Sequence, residues 1–176
     1  MSIHAYILAG GKSSRMGTDK ASMIFKGKPL IAHTIDLLKS VGVKYTIVSS
    51  NSIHDEFGER IDDLVNDKGP LSGIVSALTH SVSERNLILT CDTPFIRKES
   101  ITAMLETDAE VVYVEDESGQ IYPLTAVYSK DCLEFLASRL NENELSVRKA
   151  IAGLPSSRLM ISSSELKNLN FPSDLV

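Results

Sequence analysis

The segment LAGGKSSRMGTDK, Leu8 to Lys20, sets two adjacent glycines at the end of an apolar run and follows them with cations. Gly10 and Gly11 carry no side chain, so their backbone N–H groups can approach phosphate oxygens, and Arg15 and Lys20 can add charge-assisted hydrogen bonds. The spacing fits neither GxGxxG nor GxxxxGK[ST], because Gly17 is followed by Thr18, so dinucleotide-binding and P-loop readings lose support. From Lys12 to Lys28 the cations Lys12, Arg15, Lys20, Lys26 and Lys28 face one anion, Asp19, in a chain whose net charge is −5. A small, strongly anionic ligand would be drawn there. A solvated loop is the other reading of the charges by themselves, and the neighbouring glycines weigh against it.

Other residues offer chemistry at wider spacing. Asp92 follows the run NLILTC and precedes Thr93-Pro94, where an aspartate can either form an Asx turn or present a carboxylate to Mg²⁺. Asp67 lies just before Gly69-Pro70, where an acid near a helix start also suits the helix dipole. Asn168 and Asn170 in NLNFPSDL read as turn formers beside Pro172. Arg148 and Lys149 can hold an anionic group or face water on a helix. His4, His33, His54 and His80 lack metal-ligand spacing and are expected to take no part in catalysis. Cys91 and Cys132, with no CxxC spacing, read as packed thiols.

The elements that must position these groups alternate between two periodicities. His4 to Ala9 reads as a buried strand, and Pro29 opens a helix carrying Leu30, Ile31, Thr34, Ile35, Leu37, Leu38 and Val41. Gly42 closes it before the strand Val43 to Ser49. After Gly69-Pro70, Leu71, Ile74, Val75 and Leu78 form one helical stripe, and residues 86–91 are a further strand. Ile101, Met104 and Leu105 suit a short helix. A strand at 110–114, a turn at 115–120 and a strand at 121–128 predict an antiparallel departure, and helical stretches follow at Leu133 to Leu140 and about Leu145 to Ala152. The expected fold is α/β, a single-domain Rossmann-like three-layer sandwich over residues 1–176, with a mostly parallel sheet and one antiparallel strand. Ligands of such sheets gather at the carboxyl ends of the strands, which puts Gly10, Ser49 and Asp92 on one rim.

With 43% hydrophobic and 23% charged residues among 176, the composition is that of a globular protein. Its net negative charge argues against a general nucleic-acid binder. The apolar run Ala5 to Ala9 breaks at Gly10-Gly11, too short for a membrane span or a signal-peptide core, so a cytoplasmic protein without a membrane partner is expected.

LAGGKSSRMGTDK resembles the signature LAGGxSxRMGxDK of the molybdenum cofactor guanylyltransferases (the MobA family), a branch of the nucleotidyltransferases. The likeness continues, in the family's order, through GKPL (27–30), DKGPLSG (67–73), CDTPF (91–95) and NLNFPSDL (168–175). It implies transfer of GMP from GTP to the phosphate of molybdopterin, with pyrophosphate released and Mg²⁺ as cofactor, and molybdoenzymes or other cofactor-biosynthesis proteins as recipients. It implies Arg15, Lys20 and Asp92 as catalytic residues, with Asp92 the metal ligand. Leu8, Ala9, Gly10, Gly11, Lys20, Ser49, Asn51, Asp67, Asp92, Asn168 and Asn170 would line the nucleotide site. Where the family tends to have asparagine at the end of the second strand, this chain has Ser49, with Asn51 two residues on. The alternatives are a molybdopterin cytidylyltransferase, whose motif usually reads LAAG, a sugar-phosphate nucleotidyltransferase, or a non-catalytic nucleotide-binding module on the same fold.

Overall fold

The computed structural model describes residues 2–10, 19–65 and 68–169. Its elements in chain order are strand β1 (Ile3–Leu8), the short strands β2 (Ile24–Phe25) and β3 (Lys28–Pro29), helix α1 (Leu30–Ser40), strand β4 (Tyr45–Val48) and strand β5 (Arg60–Ile61). Helix α2 (Pro70–His80), strand β6 (Arg85–Thr90), helix α3 (Lys98–Glu106) and strands β7 (Val111–Glu115) and β8 (Ile121–Ser129) follow. Helices α4 (Leu133–Asn141) and α5 (Val147–Ile151) and strand β9 (Ser156–Met160) complete the set. The main sheet has the order β5-β4-β1-β6-β8-β7-β9, and β2 and β3 form a separate hairpin.

Within the main sheet, among the described residues, only β8 runs against its neighbours: β1–β4, β1–β6, β4–β5 and β7–β9 are parallel, and β8 is antiparallel to both β6 and β7. The α/β fold with a mostly parallel sheet and one antiparallel strand is thus as the sequence predicts.

Alternation along β1 shows how the sheet is covered on both faces. Ala5 and Ile7 join the core formed with Ile31, Ile35 and Leu38 of α1 and Ile101 and Met104 of α3. Tyr6 and Leu8 point the other way, into the core formed with Leu71, Ile74 and Leu78 of α2 and with Leu136 and Leu140 of α4. A strand buried on both faces must be apolar throughout, which is why β1 reads as a run rather than an alternation. At Gly73 a Cβ would lie 3.2 Å from the Leu8 side chain, so glycine lets α2 lie close over the end of β1.

Candidate functional site

Three parallel strands end at one level. Leu8 is in register with Val48 of β4 and with Thr90 of β6, so the residues that follow them, Ala9-Gly10, Ser49 and Cys91-Asp92, emerge on a common rim. Gly10 is exposed there, and a Cβ placed on it would meet nothing nearer than Ser49 Cα and Val48 O at 3.8 Å. The fold does not require glycine at this position, so the open space above it is available to a ligand.

Two of the predicted catalytic residues come together across the rim. Lys20 Nζ donates to Asp92 Oδ2 at 2.9 Å, and both side chains keep about a fifth of their surface exposed, 23% and 21%. Thr90 Oγ1 donates to Asp92 Oδ1 and fixes the carboxylate plane. The Asp92 carbonyl accepts the Leu169 N–H at 2.9 Å, which brings Asn168 to the same place. The Asx-turn reading of Asp92 is therefore incomplete: its carboxylate reaches a cation from another segment. Arg15, Gly11, Asp67 and Asn170 lie outside the described residues.

A cavity of about 350 Å³ opens beside Asp92, between the N-terminus of α2, the start of β8 and α5. Pro70, Thr93, Tyr122, Leu124, Val147, Arg148 and Asn168 are among its lining residues. Arg148 is thereby separated from Lys149, which is exposed and does not line the cavity. Among the described residues the Thr93 hydroxyl is buried without a hydrogen-bond partner, and a buried hydroxyl in that state favours a ligand that can pair with it.

The charge run divides into different roles. Lys28 pairs with Asp36 on α1, and Lys26 sits over the Phe25 and Phe95 rings at 5.3 and 5.9 Å. These two cations serve the β2–β3 hairpin, while Lys20 serves the rim.

Ser49 and Asn51 differ in what they offer a nucleotide. Ser49 is 1% exposed, and its hydroxyl accepts the Asn51 N–H at 3.1 Å and lies 2.7 Å from His54 Nδ1. Asn51 is exposed and caps the 3-10 turn Ser52–Phe57, its Oδ1 accepting the Ile53 N–H at 3.2 Å. His54 is fully buried, and its Nε2 lies 3.0 Å from Asp19 Oδ2. Burial opposes the Asp19 charge, but hydrogen bonds from Ser22 and His54 outweigh it and hold the carboxyl below its ordinary value. Spacing along the chain carried no signal for His54, because its partners lie on other segments. Cys91 and Cys132 are buried free thiols as expected, and burial pushes Cys91 up to about 12.

A single partly exposed carboxylate suits Mg²⁺, which takes one or two protein carboxylates and fills its remaining positions with phosphate oxygens and water, provided that Lys20 yields Asp92 to the ion. Among the described residues no group of three or more His, Cys, Asp or Glu side chains forms a closed metal cage. Nor is any helix among them long and apolar enough to cross a membrane.

The family described as MobA-like NTP transferase domain matches residues 5–158. A Flavobacterium johnsoniae protein named "Probable molybdenum cofactor guanylyltransferase" is 36% identical, over 97% of this chain and 93% of the relative. A Methanocaldococcus jannaschii protein of the same name is 31% identical, over 99% and 97%. Among solved structures, molybdopterin-guanine dinucleotide biosynthesis protein A from Archaeoglobus fulgidus superposes with a TM-score of 0.80 at 20% identity, over 98% of this chain and 94% of that one.

Proposed function

Since this chain belongs to the MobA-like NTP transferase family, we propose that it transfers GMP from GTP to the phosphate of molybdopterin, releasing pyrophosphate. The observation that carries the reading is the Lys20–Asp92 pair, held where β1, β4 and β6 end together beside the open face of Gly10.

In the proposed reaction an oxygen of the acceptor phosphate forms a bond to the α-phosphorus of GTP. The bond from that phosphorus to the bridging oxygen of the β-phosphate breaks, and pyrophosphate leaves with the electron pair. A phosphate monoester is already ionised near neutral pH, so no general base is needed and in-line positioning and charge neutralisation suffice. Mg²⁺, held by Asp92 and phosphate oxygens, would offset the charge that develops on the leaving group. Gly10 admits the triphosphate to the rim, and Lys20 offers its ammonium to the phosphates. Arg15 and Asp67 keep the roles implied by the family motif, as do Gly11 and Asn170.

For the base, the rim offers Asn51 and the backbone at Leu8, Ala9 and Gly10, with Ser49 supporting them from beneath. The cavity beside Asp92 suits the acceptor. Leu124, Val147 and Tyr122 give it apolar walls for a flat heterocycle, Thr93 and Asn168 give it polar contacts, and Arg148 stands ready for an anionic group. A cytoplasmic setting, with the product passed to molybdoenzymes, completes the reading.

The test is to incubate the protein with molybdopterin, Mg²⁺ and equimolar GTP, CTP, ATP and UTP, and to separate the products by base. A guanylylated product should dominate. A dominant cytidylylated product would replace guanylyl transfer with the cytidylyl alternative, and triphosphate binding without any turnover would favour the non-catalytic module.

A further inference from the structure

His54 joins the end of β4 to the last residues of the glycine-rich motif. On one side is Ser49, whose Cα lies beneath the Cβ direction of Gly10. On the other is Asp19, which immediately precedes Lys20. A carboxylate only accepts hydrogen bonds, so the proton on Nε2 points to Asp19 at 3.0 Å. Ser49 Oγ accepts the Asn51 N–H at 3.1 Å and lies 2.7 Å from His54 Nδ1. The Asn51 N–H, the Ser49 hydroxyl, the His54 ring and the Asp19 carboxylate thus form one chain in which each member has a partner.

A serine, a histidine and an aspartate in line suggest a nucleophilic relay, but access excludes it. Ser49 is 1% exposed and His54 0%, so no substrate reaches the hydroxyl. The far end of the chain does reach the site. Asp19 Oδ2 also accepts the Ser22 N–H at 2.9 Å and the Ser22 hydroxyl at 2.6 Å, capping the 3-10 turn Lys20–Ser22. The first residue of that turn carries the ammonium bound to Asp92.

We infer that His54 is a positioning residue: by holding Asp19 against the end of β4 it sets the turn from which Lys20 reaches Asp92 and the triphosphate. The role in phosphate binding rests on the function proposed above. The two arms of the bridge can be separated. In His54→Asn the side-chain oxygen falls where Nδ1 was and keeps the Ser49 contact, but the donor to Asp19 is lost. In His54→Gln the terminal amide falls where Nε2 was and keeps that donor.

The experiment measures kcat and KM for GTP, thermal midpoint, and hydrogen exchange at the Ser22 amide in wild type and both variants. His54→Asn should lose about tenfold in kcat/KM, the usual scale for one hydrogen bond to a charged group, and His54→Gln should stay within about threefold of wild type. The Ser22 amide should exchange faster in His54→Asn than in His54→Gln. Equal kinetics in the two variants, or losses that only follow the thermal midpoint, would reduce His54 to a packing residue. If wild type turned over no triphosphate, the proposed function and the phosphate role would fall together. Ser22 exchange would still judge the bridge, with equal rates in the two variants overturning it.

Discussion

Asp92 and Asp116 each follow a strand of the same direction, β6 and β7, and each has a carboxylate well supplied with hydrogen bonds, yet the supply comes from different places. Asp116 is 4% exposed and takes its donors from its own β7–β8 hairpin: the N–H and hydroxyl of Ser118, the Gln120 N–H and the Tyr122 hydroxyl. The Ser118 hydroxyl is the leading cause of its low pKa, about 2, and burial only partly opposes it. Asp92 keeps more exposure and is answered by a cation 72 residues away in the chain. A carboxylate saturated by neutral donors of its own hairpin has finished its work when that hairpin closes. One held by a lysine ammonium at an open rim can exchange that partner for a metal or a phosphate-bound cation.

The sharpest way to break this contrast is Asp92→Asn. It keeps the side-chain size, and the thermal midpoint should hold, but metal-dependent turnover should fall by roughly a hundredfold or more. Normal activity across a Mg²⁺ titration would place Asp92 in the same class as Asp116. Lys20→Ala comes next, with a loss of about tenfold to a hundredfold in kcat/KM for GTP and little change in stability. Unchanged steady-state kinetics would remove Lys20 from the site.

Gly10→Ala is a smaller perturbation, since the new methyl would meet the protein only at 3.8 Å. The fold should be untouched while the ratio of GTP to CTP use drops several-fold, on the order of 1 kcal/mol, as bulk intrudes where a purine would lie. A ratio equal to wild type would move the base away from Gly10. The mildest effect is expected from Asp116→Asn, which should leave turnover unchanged. Because the folded carboxyl lies near 2 and its ordinary value is 3.8, its stabilisation is present above about pH 4 and is lost as the pH falls toward 2. Acid unfolding curves of the variant should therefore be flatter than wild type across that window. Loss of turnover at neutral pH would show that the hairpin does more than hold itself together.

The same contrast explains what could be read from the sequence. The turn after β7 is legible because Asp116, Ser118 and Gly119 act on one another within a few residues. The strands β1, β4 and β6 are legible because burial on both faces leaves them mainly apolar. Strand β9 was missed: SSRLM pairs along one edge only and has too few apolar residues to announce itself. Strand β5 is two residues long and borrows its geometry from β4. The β2–β3 hairpin did leave a trace, since Lys26 and Gly27 both have positive φ, 46° and 83°, and such two-residue turns favour glycine.

Within the site, glycines and cations pointed to an anion, and the family likeness selected Lys20 and Asp92. His54 stayed hidden because Asp19 lies 35 positions away and only the folded sheet brings the two together. Ser49, read as a rim residue from its place at a strand end, turns its hydroxyl inward to His54.

The segment after β9 acts on the rim from a distance. Ile161 and Leu166 enter the core, Glu165 receives the Arg97 N–H and the Ser100 hydroxyl at the start of α3, and Leu169 binds the Asp92 carbonyl. During synthesis, β1, β4 and β6 emerge from the ribosome well before this segment, at a pace of roughly 5 to 20 residues per second. For several seconds the nascent chain carries Lys20 and Asp92 without the residues that brace them. A nascent chain can therefore pair β1, β4 and β6 early and still lack the brace on the Asp92 carbonyl, which arrives only once residues 161–169 have left the exit tunnel.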